Sequence, residues 1–252
     1  MASAYLLVSH GSRDPRPEIA IQHLVGLLCD KIQTDLSALA TEHINSQLKC
    51  ETLVGTAYLE LNPEPLHQQI IKFGKNALNS GCHSLKILPL FLLSGVHVME
   101  DIPAQVALGK QVLGQDIKIF LQPYLGCHLG LERLLVKQLI ARKADAKILL
   151  AHGSRRFEAN APVEAMAAKI GAVAAYLSVS PNLEARVQDL VAAGYKNLLT
   201  IPYFLFSGGM TDAVARRQEE LKLQFPKVNF QLAEPLGASA ELVELIWDLL
   251  EQ

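Results

Sequence analysis

The chain alternates short apolar runs with longer amphipathic stretches. Tyr5–Ser9, residues 52–61, 85–91 and 117–121 carry apolar side chains on both faces, as strands do when helices cover both sides of a sheet. The stretches between them space their apolar residues as helices do. One follows a loop containing Pro15 and Pro17 and runs through Ile44. A second opens at Asn62-Pro63, read as N-cap and first helical residue, and closes at Gly81. A third lies near Asp101–Leu113, beyond a glycine loop, and a fourth near Leu129–Arg142. Four further strands are predicted near residues 147–151, 173–177, 196–203 and 228–232. Strands separated by helices indicate parallel βαβ units, an α/β class.

The pattern occurs twice. Residues 6–13 read LLVSHGSR and residues 149–155 read LLAHGSR, which sets His10 against His152. Ala57-Tyr58-Leu59 is echoed by Ala175-Tyr176-Leu177, and Asn62-Pro63 by Ser180-Pro181. Pro89-Leu90-Phe91 through Ser94-Gly95 is echoed by Pro202-Tyr203-Phe204 through Ser207-Gly208. Gln122-Pro123-Tyr124-Leu125-Gly126 resembles Glu234-Pro235-Leu236-Gly237. Anchors in one order indicate an internal duplication. The expected architecture is two Rossmann-like parallel-sheet lobes, residues 1–125 and 146–252, facing each other across a central cleft, with residues 126–145 as a connecting helix. The stretch from His10 to Tyr58 is twice that from His152 to Tyr176, so the first helical region of the N-terminal lobe is the longer.

Composition narrows the function classes. Half of the 252 residues are apolar and the formal net charge is −2, so no global basic field recruits nucleic acid or an anionic membrane. Cys29, Cys50, Cys82 and Cys127 form no C-x-x-C pair, which argues against a zinc ribbon, an iron–sulfur cluster or a disulfide framework. The first ten residues read as a strand rather than a signal peptide, and the apolar stretch at residues 87–98 is too short to span a bilayer. A cytoplasmic protein without membrane or nucleic-acid partners is expected.

In parallel α/β sheets ligands bind beyond the carboxyl ends of the strands. His10 follows the first strand, Glu60 ends the second, and His97 lies in the loop after the third, so three segments deliver two imidazoles and a carboxylate to one sheet edge. Such a set with open positions suits Fe(II), Co(II), Ni(II) or Zn(II). The second copy is an internal control: it keeps His152, but Glu60 aligns with Ser178 and His97 with Met210. The metal site is therefore assigned to the N-terminal lobe. Gly11, Gly95, Gly208 and Gly209 serve either as positive-φ turn residues or as close-approach points for an anion. His23, His43, His67, His83 and His128 show no partnering pattern and read as structural or surface residues.

The segments LLVSHGSRDPR, AYLELNP and PLFLLSGVHVMEDIP resemble the CbiX/SirB sirohydrochlorin chelatases, class II chelatases related to protoporphyrin ferrochelatase, in their long two-lobed form. The resemblance runs over nearly the whole chain. It implies insertion of Fe2+ (toward sirohaem) or Co2+ (toward cobalamin) into sirohydrochlorin, with the ion as substrate, without ATP and without an iron–sulfur cluster. It implies His10, Glu60 and His97 as the catalytic and metal-handling residues. For a polycarboxylate macrocycle the expected contacts are Arg13, Ser94 and Gly95 in the first copy, and Arg155, Arg156, Ser207 and Gly208 in the second. A monomer is expected, because the duplication stands where a dimer of single lobes would.

Two other readings compete. A two-lobed tetrapyrrole- or metal-binding protein without chemistry uses the same ligands. A phosphohistidine enzyme shares a strand–His–Gly start, but such enzymes carry arginine directly before the histidine, where this chain has Ser9 and Ala151.

Overall fold

The computed structural model describes residues 2–40, 53–140 and 142–252. His43, Cys50 and the stretch predicted to carry the first helix on to Ile44 lie outside the described residues. Eight strands are described, in two four-stranded parallel sheets. The first contains β1 (Ser3–Ser9), β2 (Val54–Tyr58), β3 (Ser84–Pro89) and β4 (Lys118–Leu121) in the order β2-β1-β3-β4. The second contains β5 (Ala146–Ala151), β6 (Val173–Tyr176), β7 (Asn197–Pro202) and β8 (Asn229–Leu232) in the equivalent order β6-β5-β7-β8.

The strand registers give the duplication its structural form. Ser9 sits opposite Tyr58 as Ala151 sits opposite Tyr176, and Val8 opposite Pro89 as Leu150 opposite Pro202. The strand order has a consequence for function. From β1 the chain passes to one side of the sheet, from β3 to the other. The carboxyl ends of these neighbouring strands therefore flank the switch point where open α/β sheets form a crevice.

Alternation along β1 divides its side chains between two cores. Ala4, Leu6 and Val8 join Leu66, Ile70, Ile102 and Val106 beneath α2 (Leu66–Asn79) and α3 (Ile102–Leu113). On the opposite face the Tyr5 ring meets Trp247 edge-on at 5.6 Å, and its hydroxyl donates to Glu251. Trp247 belongs to α8 (Ala240–Leu250), which buries Leu242, Val243, Ile246, Leu249 and Leu250. The chain resolves into two compact units, Met1–His128 with Ala238–Gln252, and Leu129–Gly237. The last helix thus packs with the first sheet, while α4 (Leu131–Ile140), which follows β4 in sequence, belongs to the second unit. Compact units and sequence repeats differ by this exchange of terminal helices.

Two helix starts differ from expectation. Pro15 and Pro17 lie inside the first turn of α1 (Pro15–Ala40), where a missing N–H costs nothing. Asn62-Pro63 does not open α2; the Asn62 side chain accepts from the Glu64 N–H in a local turn, and Pro65 is the N-cap. No described helix is long and apolar enough to cross a membrane.

Both units keep one tyrosine–glutamate pair at the end of their second strand. The Tyr58 hydroxyl donates to Glu18 of α1; burial first, and then this carboxylate, push its pKa up to about 12. Tyr176 is pushed up to about 12 by burial and by Glu164 of α5 (Ala161–Lys169). A feature common to both copies reads as architecture.

Candidate metal centre

The first unit gathers His10, Glu60 and His97. One donor atom from each lies within 4.8 Å of the others, and among the described residues this is the one group of three with metal-ligand chemistry at such spacing. His10 Nε2 is 3.7 Å from one Glu60 carboxylate oxygen, and His97 Nε2 is 4.0 Å from the other. The two imidazoles meet edge-on, with ring centroids 5.0 Å apart and planes at 83°. Donors so spaced can share one first-row ion at about 2.1 Å each after small side-chain rotations. The side chains of His10, Glu60 and His97 are 49%, 49% and 37% exposed, which would leave an ion held there open positions.

Backbone hydrogen bonds place the first two donors. The ladder between β1 and β2 continues beyond both strands: Leu59 N–H donates to Ser9 O, and Glu60 N–H to His10 O, each at 2.9 Å. Glu60 thus lies two residues past β2 rather than within a strand. Gly11 makes this approach possible. Its φ is +94°, and a Cβ built on it would stand 2.2 Å from the Glu60 carbonyl oxygen. Leu61, directly after Glu60, holds φ at +58°, a backbone state that costs a non-glycine residue about 1 kcal/mol or more. In the second unit Ser178 N–H donates to His152 O at 2.9 Å, so Ser178 occupies the position of Glu60. Its hydroxyl also donates to the His152 carbonyl, closing the loop on itself.

His97 is not in a loop, as the glycine-rich sequence suggested. It is the first residue of a π turn, His97–Asp101, that runs directly into α3. The Gly95 carbonyl accepts from Val98 and Met99 at the start of this turn. His97 Nδ1 lies 2.8 Å from Asp101 Oδ2. Phe91 sits against both imidazoles, with its centroid 6.4 Å from each. The segment after β3 is braced by Gly126, whose N–H donates to Phe91 O at 2.8 Å and whose missing Cβ would overlap the Leu92 backbone. Sequence reasoning passed over Asp101 and Phe91 as site residues. The histidine–acid spacing of four on a helical stretch, and the Phe91/Phe204 echo, were the available signals.

The predicted anion contacts fall into two groups. Arg13 is exposed, three residues past His10, and has no ion-pair partner among the described residues; Arg16, in the first turn of α1, is held by Asp14. Arg155 in the second unit is likewise exposed and without such a partner, while Arg156 has interactions of its own. Ser94 and Gly95 are half-buried beside His97, and Ser207 is exposed before α7 (Gly209–Gln224). The Gly208 N–H is consumed by Thr211 Oγ1 in the cap of α7. Of the four glycines singled out in the sequence, Gly11 alone has a positive φ.

A family model, CbiX, matches residues 4–142 and again 146–252. The sirohydrochlorin cobaltochelatase of Priestia megaterium is 22% identical over 263 residues, covering 98% of this chain and 78% of that protein. The sirohydrochlorin ferrochelatase of the same organism is 23% identical over 182 residues, covering 67% of each. Among solved structures, the sirohydrochlorin chelatase SirB from Bacillus subtilis subspecies spizizenii in complex with cobalt superposes with a TM-score of 0.69 at 19% identity. That match covers 100% of this chain and 94% of the other.

Proposed function

The chain belongs to the CbiX family, and from that premise we propose that it inserts a divalent metal ion, Fe2+ or Co2+, into sirohydrochlorin at His10, Glu60 and His97. The observation that carries the proposal is the convergence of these three donors, two from beyond the ends of β1 and β2 and one from the turn that opens α3 after β3. The reaction exchanges two pyrrole N–H protons for one M2+. It needs groups that hold an incompletely coordinated ion and groups that accept protons. A neutral imidazole does either, and the Glu60 carboxylate offsets the charge of the ion. The open coordination favours release of the ion to the macrocycle over storage, for which a closed four-ligand cage is the usual solution. Relatives that carry cobalt and iron names support the class of reaction and leave both ions as substrates.

The test is the absorption spectrum of sirohydrochlorin with time, with purified protein and either Fe2+ or Co2+, under anaerobic conditions and without nucleotide. Conversion above the uncatalysed rate supports the proposal, and the ratio of the two rates identifies the preferred ion. Binding of the macrocycle without acceleration by either ion would make this a binding protein instead.

Arg13 extends the same reading to the carboxylates of the macrocycle, since an exposed guanidinium three residues past His10 suits forked carboxylate recognition. Arg13→Ala is expected to raise KM for sirohydrochlorin roughly two- to tenfold with kcat nearly kept. Steady-state kinetics at saturating metal check this; a fall in kcat at constant KM would count against a binding role.

A further inference from the structure

We propose that Asp101 is a positioning residue of the centre, holding His97 in the tautomer that presents an unprotonated Nε2 to the ion. The proposal rests on the reading of His97 as a metal-handling residue and deepens it. His97 Nδ1 and Asp101 Oδ2 are 2.8 Å apart. An ionised carboxylate only accepts, so the proton of this bond belongs to Nδ1. The lone pair is then on Nε2, the nitrogen that faces Glu60 at 4.0 Å. A neutral imidazole without such a partner samples both tautomers, and the one with Nε2–H cannot ligate through that atom.

The pair spans the turn in which the first unit carries one extra residue. The strand registers match Pro89 with Pro202. Beyond the loop, the buried stripe Ile102, Val106 and Gly109 of α3 matches Val214, Gln218 and Leu221 of α7, which is one position short of that correspondence. The first unit takes up its additional residue in the π turn His97–Asp101, where the Ile102 N–H reaches back to the His97 carbonyl. In the second unit α7 is α-helical from Gly209 onward. Single π turns inside helices recur at functional sites. At the corresponding places the second unit carries Gly209 or Met210 for the histidine, and Ala213 or Val214 for the acid. It lacks ligand and orienting acid together. Packing does not demand a carboxylate here either, since the Asp101 side chain is 45% exposed.

Two variants test this, Asp101→Ala and Asp101→Asn, each checked for folding by circular dichroism. The ring nitrogens of His97 are read by 15N–1H correlation in histidine-labelled protein without metal, well above the ordinary imidazole pKa. Co2+ affinity is measured by titration without any tetrapyrrole, so the result does not depend on whether the protein is a chelatase. Expected are Nδ1–H in the unaltered protein, a shift toward Nε2–H in Asp101→Ala, and a loss of Co2+ affinity of about 10- to 100-fold. Asp101→Asn keeps an acceptor for Nδ1–H and should retain the tautomer and most of the affinity. If Asp101→Ala leaves the tautomer unchanged, or leaves affinity within twofold, Asp101 does not position His97 and the proposal fails.

Discussion

Replacing His97 by alanine is expected to lower the rate of metal insertion by about 10²- to 10⁴-fold, the range associated with loss of a positioned proton acceptor or ligand. His97 contributes one of three donors that lie within 4.8 Å of one another. On the proposed reading, with it gone His10 and Glu60 would hold an ion less tightly, and one proton acceptor fewer would face the macrocycle. The side chain is 37% exposed and begins a helix whose packing rests on Val98, Ile102 and Val106, so the fold should survive. His152→Ala is the matched control. His152 follows the equivalent strand of the second unit, but Ser178 stands where Glu60 stands in the first, and Gly209 or Met210 where His97 stands. It should alter turnover only mildly. Initial rates of spectral conversion, with thermal unfolding measured beside them, decide the matter. Near-normal turnover in the His97 variant would remove the proposed centre. Complete loss in a folded His152 variant would show that the three donors of the first unit do not suffice.

Gly11→Ala is the second large effect. The added Cβ would meet the backbone of Glu60, with its carbonyl oxygen at 2.2 Å, and backbone cannot rotate aside as a side chain can. The left-handed φ of +94° adds strain of about 1–2 kcal/mol. Relief requires separating the His10 and Glu60 segments, whose backbones are joined by a 2.9 Å hydrogen bond. A displacement of about 1 Å at the donors costs on the order of 10²-fold in rate. Gly153→Ala is the informative comparison. It too has a positive φ, +83°, but its Cβ would press on the Tyr176 and Val179 side chains of the second unit. Both variants should unfold at lower temperature, and Gly11→Ala alone should lose most of its turnover. If both retain activity, or both lose it equally, the strain at Gly11 is not transmitted to Glu60.

Much of the centre is legible in the order of residues alone. His10, Glu60 and His97 each stand just past an apolar run, and a parallel sheet sends such positions to one edge. The duplication supplies the contrast with Ser178 and Met210. Asp101 escapes notice because its role lies in a contact. An acid four residues from a histidine is common on helical surfaces, and the sequence does not tell a π turn from the loop inferred from Ser94-Gly95. Phe91 reads simply as the end of an apolar strand. The terminal helices show the same limit. Amphipathicity says that α8 buries one face, and it does not say against which sheet.

Residue order thus settles the local and repeating part of this protein: strands and helices in alternation and two copies of one unit. These follow from residue spacing and turn chemistry, which act over a few positions. Tertiary packing settles the start of α2 at Leu66, the π turn at His97, the placement of α8 beside β1 and β3, and the spacing of the three donors. Each of these results from competition among distant segments for the same apolar surface and the same hydrogen-bond partners. Such competition has no period along the chain, and only the folded arrangement resolves it.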